Sequence, residues 1–126
     1  MQDITPKLEA TAQIIQSYGP AGFKVGGVDY AGSVLITPMR TTPIDAATLA
    51  DITPGHFTPL WSLAEPIEIL LIGTGARHLI LPPELRAALK AHGVGVDAMA
   101  TGPAARTYNV LMSEERRVAA LLILPA

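Results

Sequence analysis

The sequence predicts an α/β fold: one three-layer domain in which an N-terminal antiparallel β-meander packs on a β-α-β-α-β sheet of parallel or mixed strands. Three observations predict it. Residues 67–73, I-E-I-L-L-I-G, are a near-continuous apolar run, the pattern of a strand buried on both faces and hence of a parallel sheet. Two amphipathic stretches, opened by Pro82-Pro83 and by Thr101-Gly102-Pro103, alternate with two further apolar runs, which is the rhythm of crossover units. The first 38 residues instead carry short β-branched runs broken by Gly and Pro, the rhythm of a meander.

Taken in order, residues 1–10 read as a loose tail. Residues 12–18, A-Q-I-I-Q-S-Y, fit a strand, with a short helix as the other reading; Gly19-Pro20 ends it. Residues 23–28 and 30–38 read as a hairpin with Asp29 near its turn, and Pro38 stops the second arm. Residues 44–52 predict a short helix capped by Asp45 and closed by Thr53-Pro54-Gly55. Trp61, the only tryptophan, is expected to be partly buried, with its N–H on an acceptor. After the apolar run and a Gly-Thr-Gly turn at 73–75, Pro83 opens a helix. Its Leu85, Ala88, Leu89 and His92 share a face, and Gly93 supplies the left-handed stop. Residues 95–99 are the next strand. Thr101 is the expected cap of a second helix on which Ala104, Thr107, Tyr108 and Leu111 share a face, and residues 117–124 are the last strand. Right-handed crossovers between adjacent strands place both helices on one face, which leaves the meander the other.

Composition limits the function. The 126 residues carry a formal net charge of −2 and no cysteine, which argues against a nucleic-acid footprint and excludes thiol, disulfide and Cys-ligated metal chemistry. Hydrophobic residues make up 49% and charged ones 16%, so either both sheet faces are covered or apolar surface is kept for a partner. No apolar run is long enough to span a bilayer. The N-terminus lacks the features of a signal or transit peptide, so a cytoplasmic location is expected. His56, His78 and His92 stand in no metal-ligand spacing. No G-x-S-x-G elbow occurs and no carboxylate pair stands out. No metal or other cofactor is expected.

Two turns are candidate binding elements. Gly73-Thr74-Gly75 follows a strand, but a dinucleotide fingerprint needs a third Gly and an immediate helix; His78 and a helix start near Pro82 stand there instead. The T-G-P-A-A-R turn lies beyond the carboxyl end of a strand, where free N–H groups at 102–105 and the Arg106 cation are placed to hold a carboxylate or phosphate. The plainer reading makes Thr101 a helix cap and pairs Arg106 with Glu114 or Asp97. Tyr108 and Asn109 are polar groups in an apolar helix. If buried they need partners, either to tie the helix to the sheet edge or to line a pocket.

These residues carry a family resemblance. Tyr30-x-Gly32-Ser33-Val34-Leu35, Ile69–Gly75, Met99-x-Thr101, the run A-A-R-T-Y-N-V-L at 104–111, Glu114, Arg116 and Val118-Ala119-Ala120 together resemble the small Mth-type domain proteins. That family includes mitochondrial complex I assembly factor 3 and the adipogenesis-associated Mth domain-containing protein. The likeness spans about residues 15–124, and R-T-Y-N-V-L is its specific part. It implies a compact α/β domain with no established catalysis, and mitochondrial members that act by binding other proteins. Two departures stand out. Ala105 replaces a residue that is often small or a thiol, which excludes a thiol role. Glu115 replaces an expected glycine, which suggests that the corner at 114–117 is not a fixed glycine turn.

Two functions follow as expectations. The first is a non-enzymatic protein-binding or assembly module, with a protein partner or a second copy of the chain. The second is a small-molecule or anion-binding protein, with or without enzyme activity, using Gly73, Thr74, Gly75, Thr101, Arg106, Tyr108 and Asn109 in one pocket.

Overall fold

A computed structural model describes residues 12–125 and the two-residue strand β1 (Gln2–Asp3). Of the predicted tail, β1 is a paired strand, and the remainder of residues 1–10 lies outside the described residues.

The meander is real. β2 (Ile15–Gly19), β3 (Gly22–Val25) and β4 (Val28–Tyr30) are antiparallel neighbours, and β1 pairs on the outer side of β2. Its hairpin turn is Gly26-Gly27, not Asp29. Val25 faces Val28 across it, and both glycines have positive φ, 56° and 83°. A two-residue hairpin whose twist matches its strands needs that backbone, and Gly-Gly adopts it without strain. Asp29 instead sits opposite Lys24.

The arm expected to complete the hairpin belongs elsewhere. β5 (Val34–Ile36) joins a second sheet with β6 (Thr41–Pro43), β7 (Ile69–Gly73), β8 (Gly95–Met99) and β9 (Val118–Leu122), in the order β6-β5-β9-β7-β8. β7 lies between β9 and β8 and is parallel to both; β5 is antiparallel to β9, and β6 to β5. The sheet is therefore mixed, with the predicted parallel unit β9-β7-β8 on one side and the antiparallel strands β5 and β6 on the other.

Helices α1 (Pro83–Lys90) and α2 (Thr101–Ser113) complete the two crossovers. They do not share a face. The first crossover steps from β7 outward to β8; the second returns across β7 to β9. Reversing direction while keeping the right-handed turn moves the helix to the opposite side. One core thus holds Leu35, Leu70, Ile72, Ala119 and Leu121 beneath α1 (Leu85, Leu89) and the segment carrying Leu49, Phe57 and Leu60. The other holds Val34, Ile36, Leu71, Val118, Ala120 and Leu122 beneath α2 and the meander, whose Ile15, Tyr18, Phe23 and Val25 point inward. Alternate residues of β7 and β9 feed the two cores, which is why both strands read as unbroken apolar runs.

Residues 44–63 hold no α-helix. A 3-10 turn at Leu49–Asp51 is capped by Thr48, whose own N–H bonds the Asp51 carboxylate at 3.1 Å; Asp45 has no capping role. Thr53-Pro54-Gly55, expected to end a helix, starts a run of 3-10 turns over Pro54–Ser62 with Thr53 at its head. Prolines at 54 and 59 favour the tighter winding by removing donors. Trp61 is half-buried as expected, and its ring lies flat on His92 at the end of α1, with centroids 3.7 Å apart.

The corner after α2 corrects a further expectation. The Arg116 N–H bonds the Leu111 carbonyl and the Glu115 N–H bonds the Met112 carbonyl, both at 3.0 Å, while Glu115 has φ of 61°. This is the Schellman close of a helix, which normally places glycine where Glu115 stands. The glycine-type turn is present without the glycine. Glu115→Gly should therefore raise stability by up to about 1 kcal/mol, the left-handed penalty less the chain entropy that glycine adds. A urea midpoint measures it, with Glu115→Ala expected near wild type; a lower midpoint for the glycine variant would contradict the argument.

Candidate functional site

The seven predicted residues fall into three separate settings. Gly73, Thr74, Gly75 and Thr101 come together where β7 ends and α2 begins. The Thr74 N–H continues the β7–β8 ladder to the Met99 carbonyl at 2.8 Å. Its hydroxyl donates to the Arg77 carbonyl at 2.6 Å and accepts the Leu79 N–H at 3.0 Å, so one buried threonine ties down the loop that follows. Thr101 is not the cap of α2. Ala100 holds that position, and Thr101 is the first helical residue, wholly buried. Its hydroxyl donates to the Ile123 carbonyl at 2.6 Å and accepts the Gly75 N–H at 2.9 Å. Its own N–H bonds the Gly75 carbonyl at 2.9 Å, and the Ile123 N–H bonds the Gly73 carbonyl at 3.0 Å. Glycine at 73 is required by contact: a Cβ there would stand 2.9 Å from both Thr101 Oγ1 and Leu122 Cδ2. The two turns do face each other, as their place in the sheet suggested, and they bond to each other.

Tyr108 and Asn109 form the second setting. Both are buried on the face of α2 that meets the meander. Asn109 treats Ile15 as a neighbouring strand would. The Ile15 N–H donates to Asn109 Oδ1 at 3.0 Å, and Asn109 Nδ2 donates to the Ile15 carbonyl at 2.8 Å. The Tyr108 hydroxyl donates to the Gln13 carbonyl at 3.0 Å and lies 3.4 Å from the Thr37 carbonyl. Burial pushes its phenol well above the usual tyrosine range, so it stays a neutral donor at any physiological pH.

Arg106 makes the third. It is exposed on α2 and donates from Nη1 to the Tyr18 hydroxyl at 2.5 Å, pairing with neither Glu114 nor Asp97. The three settings do not converge on one pocket. The sequence offered no local sign of Glu68, which receives Arg116 Nε at 2.9 Å and the Arg117 N–H at 3.3 Å. The Arg116 bond, then the Arg117 amide, hold its carboxyl below the usual range.

Concave regions lie at both ends of the second sheet, and the first is walled in part by Thr74 and Gly75 of the predicted set. This one, about 260 Å³, sits at the carboxyl ends of β7 and β9, between Thr48-Leu49, the loop from Thr74 to Leu79 and Ile123-Leu124. The other, about 270 Å³, lies at the opposite end, lined by Pro38, Met39, Leu63, Ile67 and Arg117 among others. Among the described residues no group of three His, Cys, Asp or Glu side chains is placed to hold a metal ion, and no helix is long and apolar enough to cross a membrane.

Ser33, part of the family pattern, carries a buried hydroxyl with no protein partner among the described residues. Ser33→Ala should leave stability unchanged or raise it by about 1 kcal/mol, because an unpartnered buried hydroxyl is itself a cost. A loss above about 1 kcal/mol in urea unfolding would mean that the hydroxyl is bonded in solution.

Comparison with known proteins places the fold. A family model described as a protein of unknown function, DUF498/DUF598, matches residues 15–123. The zebrafish (Danio rerio) NADH dehydrogenase [ubiquinone] 1 alpha subcomplex assembly factor 3 is 34% identical over 97% of this chain and 70% of its own length. The human factor is 33% identical over 92% of the chain, which spans 63% of that protein. Among solved structures, one described as an outer membrane protein from Bartonella henselae has a TM-score of 0.81 at 39% identity, covering 90% of this chain and 94% of that one. A Bordetella pertussis protein described as an Mth938-like domain has a TM-score of 0.80 at 32% identity, covering 100% and 94%. The resemblance read from R-T-Y-N-V-L and its companion segments therefore holds, and the chain belongs to the DUF498/DUF598 family, whose fold is the Mth938-like α/β domain.

Proposed function

We propose that this chain is a single-domain, non-enzymatic protein-binding module of the assembly-factor type, working in the cytoplasm on a protein partner. The observation that carries the reading is its 34% identity, over 97% of its length, to a protein named as an assembly factor of NADH dehydrogenase. The geometry supports it from the other side. The polar groups that a catalytic or anion-binding reading would use are engaged in holding the fold: Thr101 and Gly75 with each other, Asn109 with Ile15, Tyr108 with Gln13. A small anion gathered by Thr101, Arg106, Tyr108, Asn109 and the Gly-Thr-Gly turn has less support, because Arg106 faces Tyr18 on the outside of α2 while Tyr108 is buried beneath it.

Deleting the gene in its native cell and separating membrane complexes on a native gel tests the reading. The expected result is less mature NADH dehydrogenase and more of a subassembly, restored by the wild-type chain, with the protein cross-linking to a subunit of that subassembly. Normal complex levels together with no cross-linked subunit would overturn it.

A further inference from the structure

We propose that the partner docks at the carboxyl ends of β7 and β9, through an extended polypeptide segment that carries an apolar side chain beside a carboxylate. This rests on the protein-binding reading above and gives it a place and a chemistry. The hollow of about 260 Å³ there lies just below the usual range of small-molecule pockets and has room for an aliphatic side chain. Leu49 and Ile123, both part of the core beneath α1, give it an apolar floor. Leu79, 42% exposed, forms its rim, and the next residue, Ile80, stands 86% exposed in solvent. An occupant confined to the hollow would leave Ile80 bare; a polypeptide crossing the rim covers both.

The charge at this rim selects the sign of the partner. Arg77 lines the hollow and is exposed, and among the described residues no carboxylate pairs with it. The nearby acid, Asp51, is turned into its own 3-10 turn, where the N–H groups of Ala47 and Thr48 each bond it at 3.1 Å. The loop is also held in place before any partner arrives, because Thr74 bonds both the Arg77 carbonyl and the Leu79 N–H. A guanidinium on a fixed loop beside an apolar hollow suits a carboxylate next to a branched aliphatic side chain. The concave region at the opposite end is less suited. Its Arg117 is bonded through Nε to the Pro66 carbonyl, and Glu65 adds the opposite charge.

The test is an amide-shift titration of the isotope-labelled full chain with four probes: a heptapeptide with leucine between two aspartates, the same peptide with lysines, 4-methylpentanoate, and phosphatidylglycerol vesicles. The aspartate peptide is expected to move the amides of Thr48, Gly75, Arg77 and Leu79 saturably, and the lysine peptide to leave them in place. Arg77→Ala should weaken the aspartate peptide about tenfold, Arg77→Glu should reverse the preference, and Ile80→Asp should weaken binding with an unchanged melting temperature. Shifts mapping to another surface would overturn this face while leaving the protein-binding reading standing. Equal or stronger effects from 4-methylpentanoate or vesicles on these amides would overturn the polypeptide partner in favour of a small carboxylate or a lipid surface. No shift with any probe would overturn the docking face, and the deletion experiment then decides the broader reading separately.

Discussion

Asn109→Leu is expected to lower stability by about 3 kcal/mol, which for a chain of this length is a fall of roughly 10 °C in melting temperature. Leucine has as many heavy atoms as asparagine and the same branched outline, so no cavity opens; the loss comes from Ile15. That residue is wholly buried, and its N–H and carbonyl both bond the Asn109 amide, at 3.0 and 2.8 Å. An apolar side chain leaves both backbone groups unpartnered, each at a cost of about 1–3 kcal/mol. The loss should be local before it is global. The Ile15 amide should lose hydrogen-exchange protection at denaturant concentrations where β7 and β9 keep theirs. Asn109→Asp separates the two bonds. The carboxylate still accepts the N–H but stands against the Ile15 carbonyl, which raises its folded pKa above the unfolded value. Its contribution is then fully present at low pH and lost as pH rises through the folded pKa, so this variant should be relatively more stable in acid. A melting temperature for Asn109→Leu within 2 °C of wild type would show that the amide is not what holds the meander to α2.

The need behind that bond was legible in the sequence, but its answer was not. An asparagine inside an apolar helix must find partners if it is buried, yet nothing near residue 109 points to Ile15, which lies 94 residues away. The same limit explains Thr101. A threonine ahead of Gly-Pro is a sound cap by local chemistry. Its hydroxyl is drawn instead to Gly75 and Ile123, which only the closed sheet brings beside it. The strands of the parallel unit were readable because burial on both faces leaves a one-dimensional trace. The side on which each helix sits was not, because it depends on β9 lying across β7 from β8, a pairing of strands far apart in the chain. Val34–Ile36 read correctly as a buried strand and was assigned to the wrong sheet for the same reason. The hairpin turn is a different kind of miss. Gly26-Gly27 is a local signal open to sequence reading, whereas the expectation above rests on Asp29 alone.

Thr101→Val should cost about 2–3 kcal/mol, and Thr101→Ser about 1 kcal/mol. Valine keeps the shape and removes the hydroxyl, so the buried Gly75 N–H and Ile123 carbonyl each lose a partner. Serine keeps both bonds and gives up one methyl group. If packing alone mattered the order would reverse, so the pair of variants isolates the hydroxyl. Gly73→Ala acts on the same point from the other side. The new Cβ meets Thr101 Oγ1 and Leu122 Cδ2 at 2.9 Å and must push α2 or β9 outward, at about 1–3 kcal/mol. Because both changes strain one contact, Gly73→Ala combined with Thr101→Val should cost less than the two separate losses added together. These variants also bear on function. If Thr101 anchors the start of α2, Thr101→Val lowers the melting temperature equally with and without inorganic phosphate. Should the variant instead melt like wild type while losing a phosphate-dependent stabilisation, the turn would be a receptor for anions, and the protein-binding reading would yield to the ligand-binding one.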